Sequence, residues 1–260
     1  MHQLKALLWD VDGTLAETER DGHRVAFNLA FEEVGLPWHW SVAQYGELLR
    51  VPGGRERLLH AMAQRSDAPR AAAERESLAR AVHLRKNAHY ADRMRRFQMP
   101  LRAGVAALMA QCRDSGLPMG ITTTTSRSNV EALLFSALGP QWRDWFAVVV
   151  CGEDVQRRKP DPQVYRMALD ALGIGPHEAV ALEDSPSGVA AARAAGIPVV
   201  VVRSAYFADA TIEGAVAMGP ALDTRSGWLP WRLPDTGSDR VGLEDIACWC
   251  AARNSVSQAG

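Results

Sequence analysis

Five short apolar runs, separated by stretches of helical periodicity, constrain the fold of this chain more than any other feature. They occupy residues 4–9, 117–122, 146–150, 179–182 and 198–202, and the last is an almost unbroken run of valine. Such a run is typical of a strand that is buried on both faces of a parallel sheet. Ser185 and Pro186 have the residue types of a helix start, and that helix is predicted to end at Gly196. Alternating strands and helices predict an α/β fold with a parallel-sheet core and right-handed crossovers.

A long helical insertion separates the first predicted strand from the second. Phe27, Phe31 and Val34 recur at helical spacing, and Ser41 with Gln44 predicts a capping box at the start of the next helix. An all-helical insertion at this point is expected to form a cap domain over the ends of the strands. The predicted units are a core of residues 1–15 and 99–218, a helical cap domain of residues 16–98, and a C-terminal extension of residues 219–260, a loop followed by a short helix.

Length and charge narrow the range of partners. The 260 residues are 47% hydrophobic and 23% charged, which is ordinary for a globular protein with a buried core. The formal net charge of -1 gives no global attraction for nucleic acid or for an anionic membrane. The sequence carries neither a signal-peptide pattern nor an apolar run long enough to cross a membrane. We therefore expect a cytoplasmic monomer with no nucleic-acid and no membrane partner.

The strongest chemical signal follows the first apolar run. Asp10 and Asp12 are two residues apart and precede Gly13 and Thr14, and strand alternation places both carboxylates on one side. Two crowded carboxylates repel each other unless a cation lies between them, and Mg²⁺ prefers such oxygen ligands. Considered alone, the motif is equally an Asp-Gly turn capped by acids.

Polar residues also follow the other predicted strands. After the second, third and fourth strands come, in order, Thr123, Thr124, Thr125 and Ser126, then Lys159, then Glu183 and Asp184. Each group by itself is explained by a helix cap or a solvated surface charge. Because ligands bind beyond the carboxyl ends of parallel strands, their joint occurrence predicts one site at that edge of the sheet.

In these motifs the chain resembles the haloacid dehalogenase superfamily, with Asp10-Val11-Asp12-Gly13-Thr14, Thr123, Lys159-Pro160 and Glu183-Asp184. Five segments are further similar to CbbY-type xylulose-1,5-bisphosphate phosphatases: Ala16-Glu17-Thr18-Glu19, Trp38-His39-Trp40, Tyr45-Gly46-Glu47-Leu48-Leu49, Gly53-Gly54-Arg55-Glu56-Arg57 and Thr123-Thr124-Thr125-Ser126. The resemblance extends to about Val202. It departs at Arg55, where such proteins usually carry lysine, and at Gln163, where an acid is common.

The resemblance implies a Rossmann-like core and a Mg²⁺-dependent phosphatase that forms an aspartyl-phosphate. It assigns the nucleophile to Asp10, acid and base catalysis to Asp12, and stabilisation of the transferred phosphoryl group to Thr123 and Lys159. Mg²⁺ is expected at Asp10, the Asp12 backbone carbonyl, Asp184 and Glu183. The implied substrate-binding residues are Asp10, Glu19, His23, Tyr45, Gly53, Gly54, Arg55, Glu56, Arg57, Thr123, Thr124, Thr125, Ser126 and Lys159.

The implied reaction converts xylulose 1,5-bisphosphate, a small phosphorylated sugar that inhibits Rubisco, into xylulose 5-phosphate and phosphate. Three other functions stay open at this point. A β-phosphoglucomutase-like mutase shares every core motif, and a phosphoglycolate phosphatase shares the hydrolytic chemistry. A phospho-receiver or sugar-binding protein is the non-enzymatic alternative, although receivers are about half this length and place the phosphorylated acid in mid-sheet.

Overall fold

Six parallel strands form one sheet in the order β3-β2-β1-β4-β5-β6. This computed structural model describes residues 4–230, 234 and 237–257; residues 1–3 of the predicted core, and residues 231–233, 235, 236 and 258–260 of the predicted extension, lie outside the described residues. The strands are β1 (Ala6–Trp9), β2 (Met119–Thr122), β3 (Val148–Val150), β4 (Ala179–Glu183), β5 (Val199–Val202) and β6 (Ala217–Gly219).

The burial of the central strands explains why the sequence contains the apolar runs. β1 lies between β2 and β4, with Leu8 opposite Gly120 and Ala181, and all four of its residues are fully buried. Each of the five predicted runs contains one strand, so the predicted α/β class with a parallel sheet is confirmed. The strand order reverses direction between β1 and β4, which is where open α/β sheets bind their ligands. β6 overlaps residues 215–218, a four-residue apolar run that is not among the five predicted strands, and it spans the position at which the extension was predicted to begin.

Four of the five α-helices between β1 and β2 belong to the predicted insertion: α1 (Arg24–Glu33), α2 (Val42–Leu48), α3 (Gly54–Ala63) and α4 (Ala72–Phe97). The predicted capping box is present, because Ser41 accepts from the Gln44 N–H while the Gln44 side chain accepts from the Ser41 N–H. Phe27, Phe31 and Trp40 pack together, with ring centroids 4.9 Å apart for each contact to Trp40. Aromatic contacts of this kind contribute about 0.5–1.5 kcal/mol each beyond the burial of their area. The inserted helices therefore have a hydrophobic core of their own.

The remaining helices are α5 (Val105–Asp114), α6 (Arg127–Leu138), α7 (Gln163–Leu172), α8 (Pro186–Ala194) and α9 (Leu243–Ser257). α8 begins as the sequence predicts, with the Ser185 hydroxyl accepting from the Gly188 N–H. In the C-terminal part, Trp228 and Trp249 stack at 4.8 Å and belong to the main hydrophobic core around β1, β2 and α5. Within the described residues, no helix combines the length and apolarity needed to cross a bilayer.

Candidate active site

The site is centred on Asp10, which directly follows β1. Its backbone N–H donates to the Leu182 carbonyl on β4, so the two central strands fix its position. The Lys159 ammonium donates to Asp10 Oδ1 at 2.7 Å, to the Thr122 carbonyl at 2.8 Å and to Glu183 Oε1 at 2.6 Å. All of these groups are buried. Lys159 is therefore held rigidly beside the carboxylate that the sequence predicts to be the nucleophile.

A cluster of acids lies at the same edge of the sheet. Oxygen atoms of Asp10, Glu183 and Asp184 all lie within 4.8 Å of one another. Burial, together with repulsion between these carboxylates, raises the pKa of Asp10 and of Asp184 well above the usual range. A divalent cation relieves this repulsion, and carboxylate oxygens are the ligands that Mg²⁺ prefers. The donor set therefore fits Mg²⁺.

The two acids after β4 have different surroundings. Glu183 is completely buried and accepts from Lys159 and from the Tyr165 hydroxyl, the latter at 2.5 Å. Asp184 accepts from the Ser204 hydroxyl at 2.5 Å and faces Gly13. A Cβ on Gly13 would lie 2.1 Å from Asp184 Oδ2, and the φ of Gly13 is +87°. Glycine is therefore required beside the predicted metal site.

Asp12 lies under the inserted helices. Its Oδ1 accepts from Thr18 Oγ1 at 2.5 Å and lies 2.8 Å from His23 Nε2. Burial opposes the charged form of Asp12, but the contacts with His23 and Thr18 outweigh it and hold the pKa of this carboxyl well below its usual range. A π-helical turn, Glu19–His23, carries the imidazole, which stacks on the Tyr90 ring at 4.3 Å. In the free protein, Asp12 is therefore an anion.

The loop after β2 forms another wall of the site. The Thr123 N–H donates to the Val150 carbonyl, and Thr123 Oγ1 accepts from the Thr125 N–H at 3.2 Å. This loop leads into α6, with Ser126 at the N-cap. Backbone N–H groups at the start of a helix attract anions, so the predicted phosphate contacts are chemically reasonable at this position.

The facing wall comes from the inserted helices. The Tyr45 hydroxyl donates to Glu19 Oε2 at 2.6 Å and accepts from Arg57 Nη1 at 2.7 Å. Arg57 also donates to the Leu48 carbonyl and is 6% exposed. These hydrogen bonds hold Arg57 in place as a buried cation, so little side-chain entropy remains to be lost when an anion binds.

The glycine pair predicted to bind phosphate begins α3. Gly53 has a φ of +91°, and a Cβ there would lie 1.8 Å from Arg158 Nη1, a core residue. Arg158 donates to Glu56 Oε2 at 2.8 Å and so joins the core to the cap. Arg55 donates to Glu76 at 3.0 Å and to Glu56 at 3.4 Å. The charge of Arg55 is thus partly compensated in the free protein.

These elements enclose a cavity of about 460 Å³. Glu56 and Glu183 are not among the lining residues, and the predicted site residues that line it are Asp10, Asp12, Glu19, His23, Tyr45, Gly53, Gly54, Arg55, Arg57, Thr123, Thr124, Thr125, Ser126, Lys159 and Asp184. Sequence reasoning did not identify the other lining residues, among them His83, Lys86, Asn87, Asn129 and Arg158.

Lys86 is the most unusual of these additional residues. It is 3% exposed, and its ammonium lies 5.4 Å from the Phe27 ring centroid and 5.1 Å from that of Tyr90. Burial lowers the pKa of Lys86 to about 8, although Asp12 and Glu19 act in the opposite direction. One signal could have identified it, because Lys86 shares the four-residue spacing of Val82, Tyr90 and Met94, the buried face of α4.

Comparisons with known proteins agree with this geometry. The family model described as haloacid dehalogenase-like hydrolase matches residues 4–196. Protein CbbY of Cupriavidus necator is 40% identical over 246 residues, 95% of this chain and 96% of that protein. Protein CbbY of Rhodobacter capsulatus is 39% identical over 233 residues, 90% of this chain and 94% of that protein.

A solved structure is similar over the same range. The crystal structure of a mutant CbbY from Rhodobacter sphaeroides, in complex with xylulose-(1,5)bisphosphate, has a TM-score of 0.79 and 36% sequence identity. The match covers 84% of this chain and 95% of that chain. Both the sheet and the inserted helices therefore have counterparts in a protein of known structure.

Proposed function

Since the chain belongs to the haloacid dehalogenase-like hydrolase family and is a phosphatase, we propose that it is a Mg²⁺-dependent sugar-bisphosphate phosphatase with Asp10 as nucleophile. One observation carries the proposal: the buried contact of Asp10 with Lys159 faces a cavity whose cap wall contains Arg57 and Lys86. One phosphate of the substrate is bound at the core and reacts, while the other contacts the cap.

In the first step, an Asp10 carboxylate oxygen attacks phosphorus as the bond between phosphorus and the sugar oxygen breaks. Lys159 and Thr123 face the oxygens that carry the developing charge, and their fixed positions lower the cost of reorganisation. The leaving oxygen needs a proton, which comes from Asp12. The dianionic phosphate raises the pKa of Asp12 by like-charge repulsion and thereby favours its protonation when substrate binds.

In the second step, water attacks the phosphorus of the aspartyl-phosphate. Asp12, now a carboxylate, accepts a proton from that water, and Asp10 and inorganic phosphate are released. The hydrogen bonds from Thr18 and His23 favour this anionic form. One carboxyl thus acts as an acid in the first step and as a base in the second.

Asp10, Asp184 and the Asp12 backbone carbonyl are the groups that would hold Mg²⁺. Glu183 serves mainly to fix Lys159, because one of its oxygens accepts from both Lys159 and Tyr165. Bound Mg²⁺ supplies positive charge to the phosphoryl oxygens. Chelation should therefore abolish turnover and added Mg²⁺ should restore it, whereas Ca²⁺ should inhibit because it favours longer bonds and more ligands.

For the substrate we propose xylulose 1,5-bisphosphate, cleaved at its 1-phosphate to give xylulose 5-phosphate. The relative from Rhodobacter sphaeroides was crystallised with this bisphosphate. The cavity of about 460 Å³ has the size of a small-ligand site, and it offers cations from both the core and the cap. Binding of the second phosphate positions the reacting end, so a monophosphate should react with a lower kcat/KM.

The test is release of inorganic phosphate by the purified protein from xylulose 1,5-bisphosphate, ribulose 1,5-bisphosphate, phosphoglycolate and glucose 1-phosphate. We expect the highest kcat/KM for the xylulose compound, with no added bisphosphate activator. A preference for phosphoglycolate would refute the substrate assignment and leave the phosphatase assignment in place. Activity that survives complete chelation would refute the proposed metal dependence.

A further inference from the structure

Two asparagine side chains meet where the cap faces the core. Asn129 lies in the first turn of α6, is 2% exposed, and lines the cavity. Its Nδ2 donates to Thr125 Oγ1 at 3.1 Å and, at 3.4 Å, to Oδ1 of Asn87 on α4. The same Asn87 oxygen accepts from the Lys86 ammonium at 3.3 Å. A continuous hydrogen-bonded chain therefore runs from Lys86 on α4 to Thr125 in the loop after β2.

The carbonyl end of Asn129 differs from its amino end. Among the residues that the structure describes, none donates a hydrogen bond to the buried Oδ1 of Asn129. Leaving such a group unsatisfied costs about 1–3 kcal/mol, so a retained one calls for a ligand or a functional explanation. Rotating the Asn129 amide by 180° would exchange its oxygen and nitrogen, and one of the two atoms would still lack a hydrogen-bond partner.

A structural asparagine in the same protein shows the contrast. Asn28 in the cap uses both ends of its amide on one residue: Nδ2 donates to the Trp40 carbonyl at 3.0 Å, and Oδ1 accepts from the Trp40 N–H at 2.8 Å. If Asn129 served only to join the cap to the core, the same complete pairing would be expected. The Asn129 carbonyl instead has no hydrogen-bond partner among the described residues, in a side chain that lines the cavity.

The chemistry of an amide indicates which substrate group it binds. A fully ionised phosphate only accepts hydrogen bonds, so it cannot satisfy a carbonyl oxygen. A sugar hydroxyl both donates and accepts, which matches the two ends of an amide. We propose that Asn129, supported by Asn87, is a specificity residue that accepts a hydrogen bond from a hydroxyl of the sugar between its two phosphates. This inference rests on the proposed sugar-bisphosphate function.

The experiment compares substrates with and without sugar hydroxyls. Wild type, Asn129→Ala and Asn87→Ala are assayed with xylulose 1,5-bisphosphate and with pentane-1,5-diol bisphosphate, which keeps both phosphates but has no free hydroxyl. With the sugar bisphosphate, Asn129→Ala should lower kcat/KM about tenfold and Asn87→Ala about threefold, as expected for the loss or weakening of one neutral hydrogen bond. With the diol bisphosphate, both changes should stay below about twofold.

Asn28→Ala serves as the matched control, because it removes a structural amide and should affect both substrates equally. The thermal midpoints of all variants are measured in parallel. Asn87 is half-exposed on a helix, so Asn87→Ala keeps the test valid if Asn129→Ala fails to fold. Equal losses on the two bisphosphates, or no loss on either, would overturn the inference. If wild type hydrolyses p-nitrophenyl phosphate but none of the sugar phosphates, the proposed function itself fails, and this inference fails with it.

Discussion

Replacing Lys86 by methionine is expected to make the free protein more stable while removing a cation from the cavity. Methionine keeps the long unbranched stem that packs against Phe27 and Tyr90. Lys86 is 3% exposed, and burial of its charge lowers its pKa from 10.5 to about 8. The charge of Lys86 therefore destabilises the folded protein, although Asp12 and Glu19 partly offset this effect.

The pKa gives the magnitude of that cost. One unit of pKa corresponds to about 1.4 kcal/mol, so a lowering from 10.5 to about 8 costs about 3 kcal/mol of folding free energy. The full cost applies below the folded-state pKa, where Lys86 is protonated in both states. As pH rises from about 8 towards 10.5, the folded state loses its proton first, so the wild type regains stability.

The assay is urea denaturation of metal-free wild type and Lys86→Met at about pH 7 and about pH 10. The variant should be more stable by about 3 kcal/mol at the lower pH and by about 1 kcal/mol at the higher one. The difference in unfolding free energy between the two proteins removes the contribution of groups that titrate in both. Arg85→Met is the matched control, because this neighbour on α4 is 57% exposed and should change stability little at either pH. A Lys86→Met protein no more stable than wild type at about pH 7, or a gain that does not shrink with pH, would refute the reasoning.

Two further variants test the core of the site. Asp10→Asn should fold and show no turnover, because the amide is nearly isosteric but lacks the nucleophilic anion. Turnover by a sample whose mass excludes deamidation would remove Asp10 from this role. Gly13→Ala should weaken Mg²⁺ binding at least tenfold by isothermal titration, since its Cβ would lie 2.1 Å from Asp184 Oδ2; wild-type affinity would exclude Asp184 as a ligand.

The sheet could be predicted from the sequence because its central strands are buried on both faces. That burial requires an apolar run at each strand, and the run marks the strand without further information. The positions of the site acids and of Lys159 could be predicted for a related reason. A parallel sheet brings the carboxyl ends of strands that are distant in sequence to one edge. β6, which has only three residues, was not predicted, although residues 215–218 form a short apolar run that overlaps it.

The cap-side part of the site could not be predicted in the same way. α4 runs from Ala72 to Phe97 and is rich in charged residues, so its local sequence resembles a solvated helix. The four-residue spacing of Lys86 with Val82 and Tyr90 indicates only that it lies on the buried face of α4. Whether Asn87 faces water or the cavity depends on how α4 packs against α1 and α6, and no local pattern encodes that contact. The pairing of Arg55 with Glu76 is equally non-local, because the two residues lie on different helices.

The two sides of the cavity have opposite electrostatic imbalances in the free protein. On the core side, the carboxylates of Asp10 and Glu183 share the ammonium of Lys159, and the carboxylate of Asp184 lies beside them. On the cap side, the buried charge of Lys86 is only partly compensated, as its lowered pKa indicates. A divalent cation would offset the excess negative charge on the core side, and a phosphate dianion would offset the positive charge on the cap side. Each ligand should therefore bind more favourably to the folded chain than to the unfolded one. Because the proposed bisphosphate would contact the core with one phosphate and the cap with the other, its binding would also favour the arrangement in which cap and core are close together. The same charges that destabilise the free protein thus provide binding energy for the metal and the substrate.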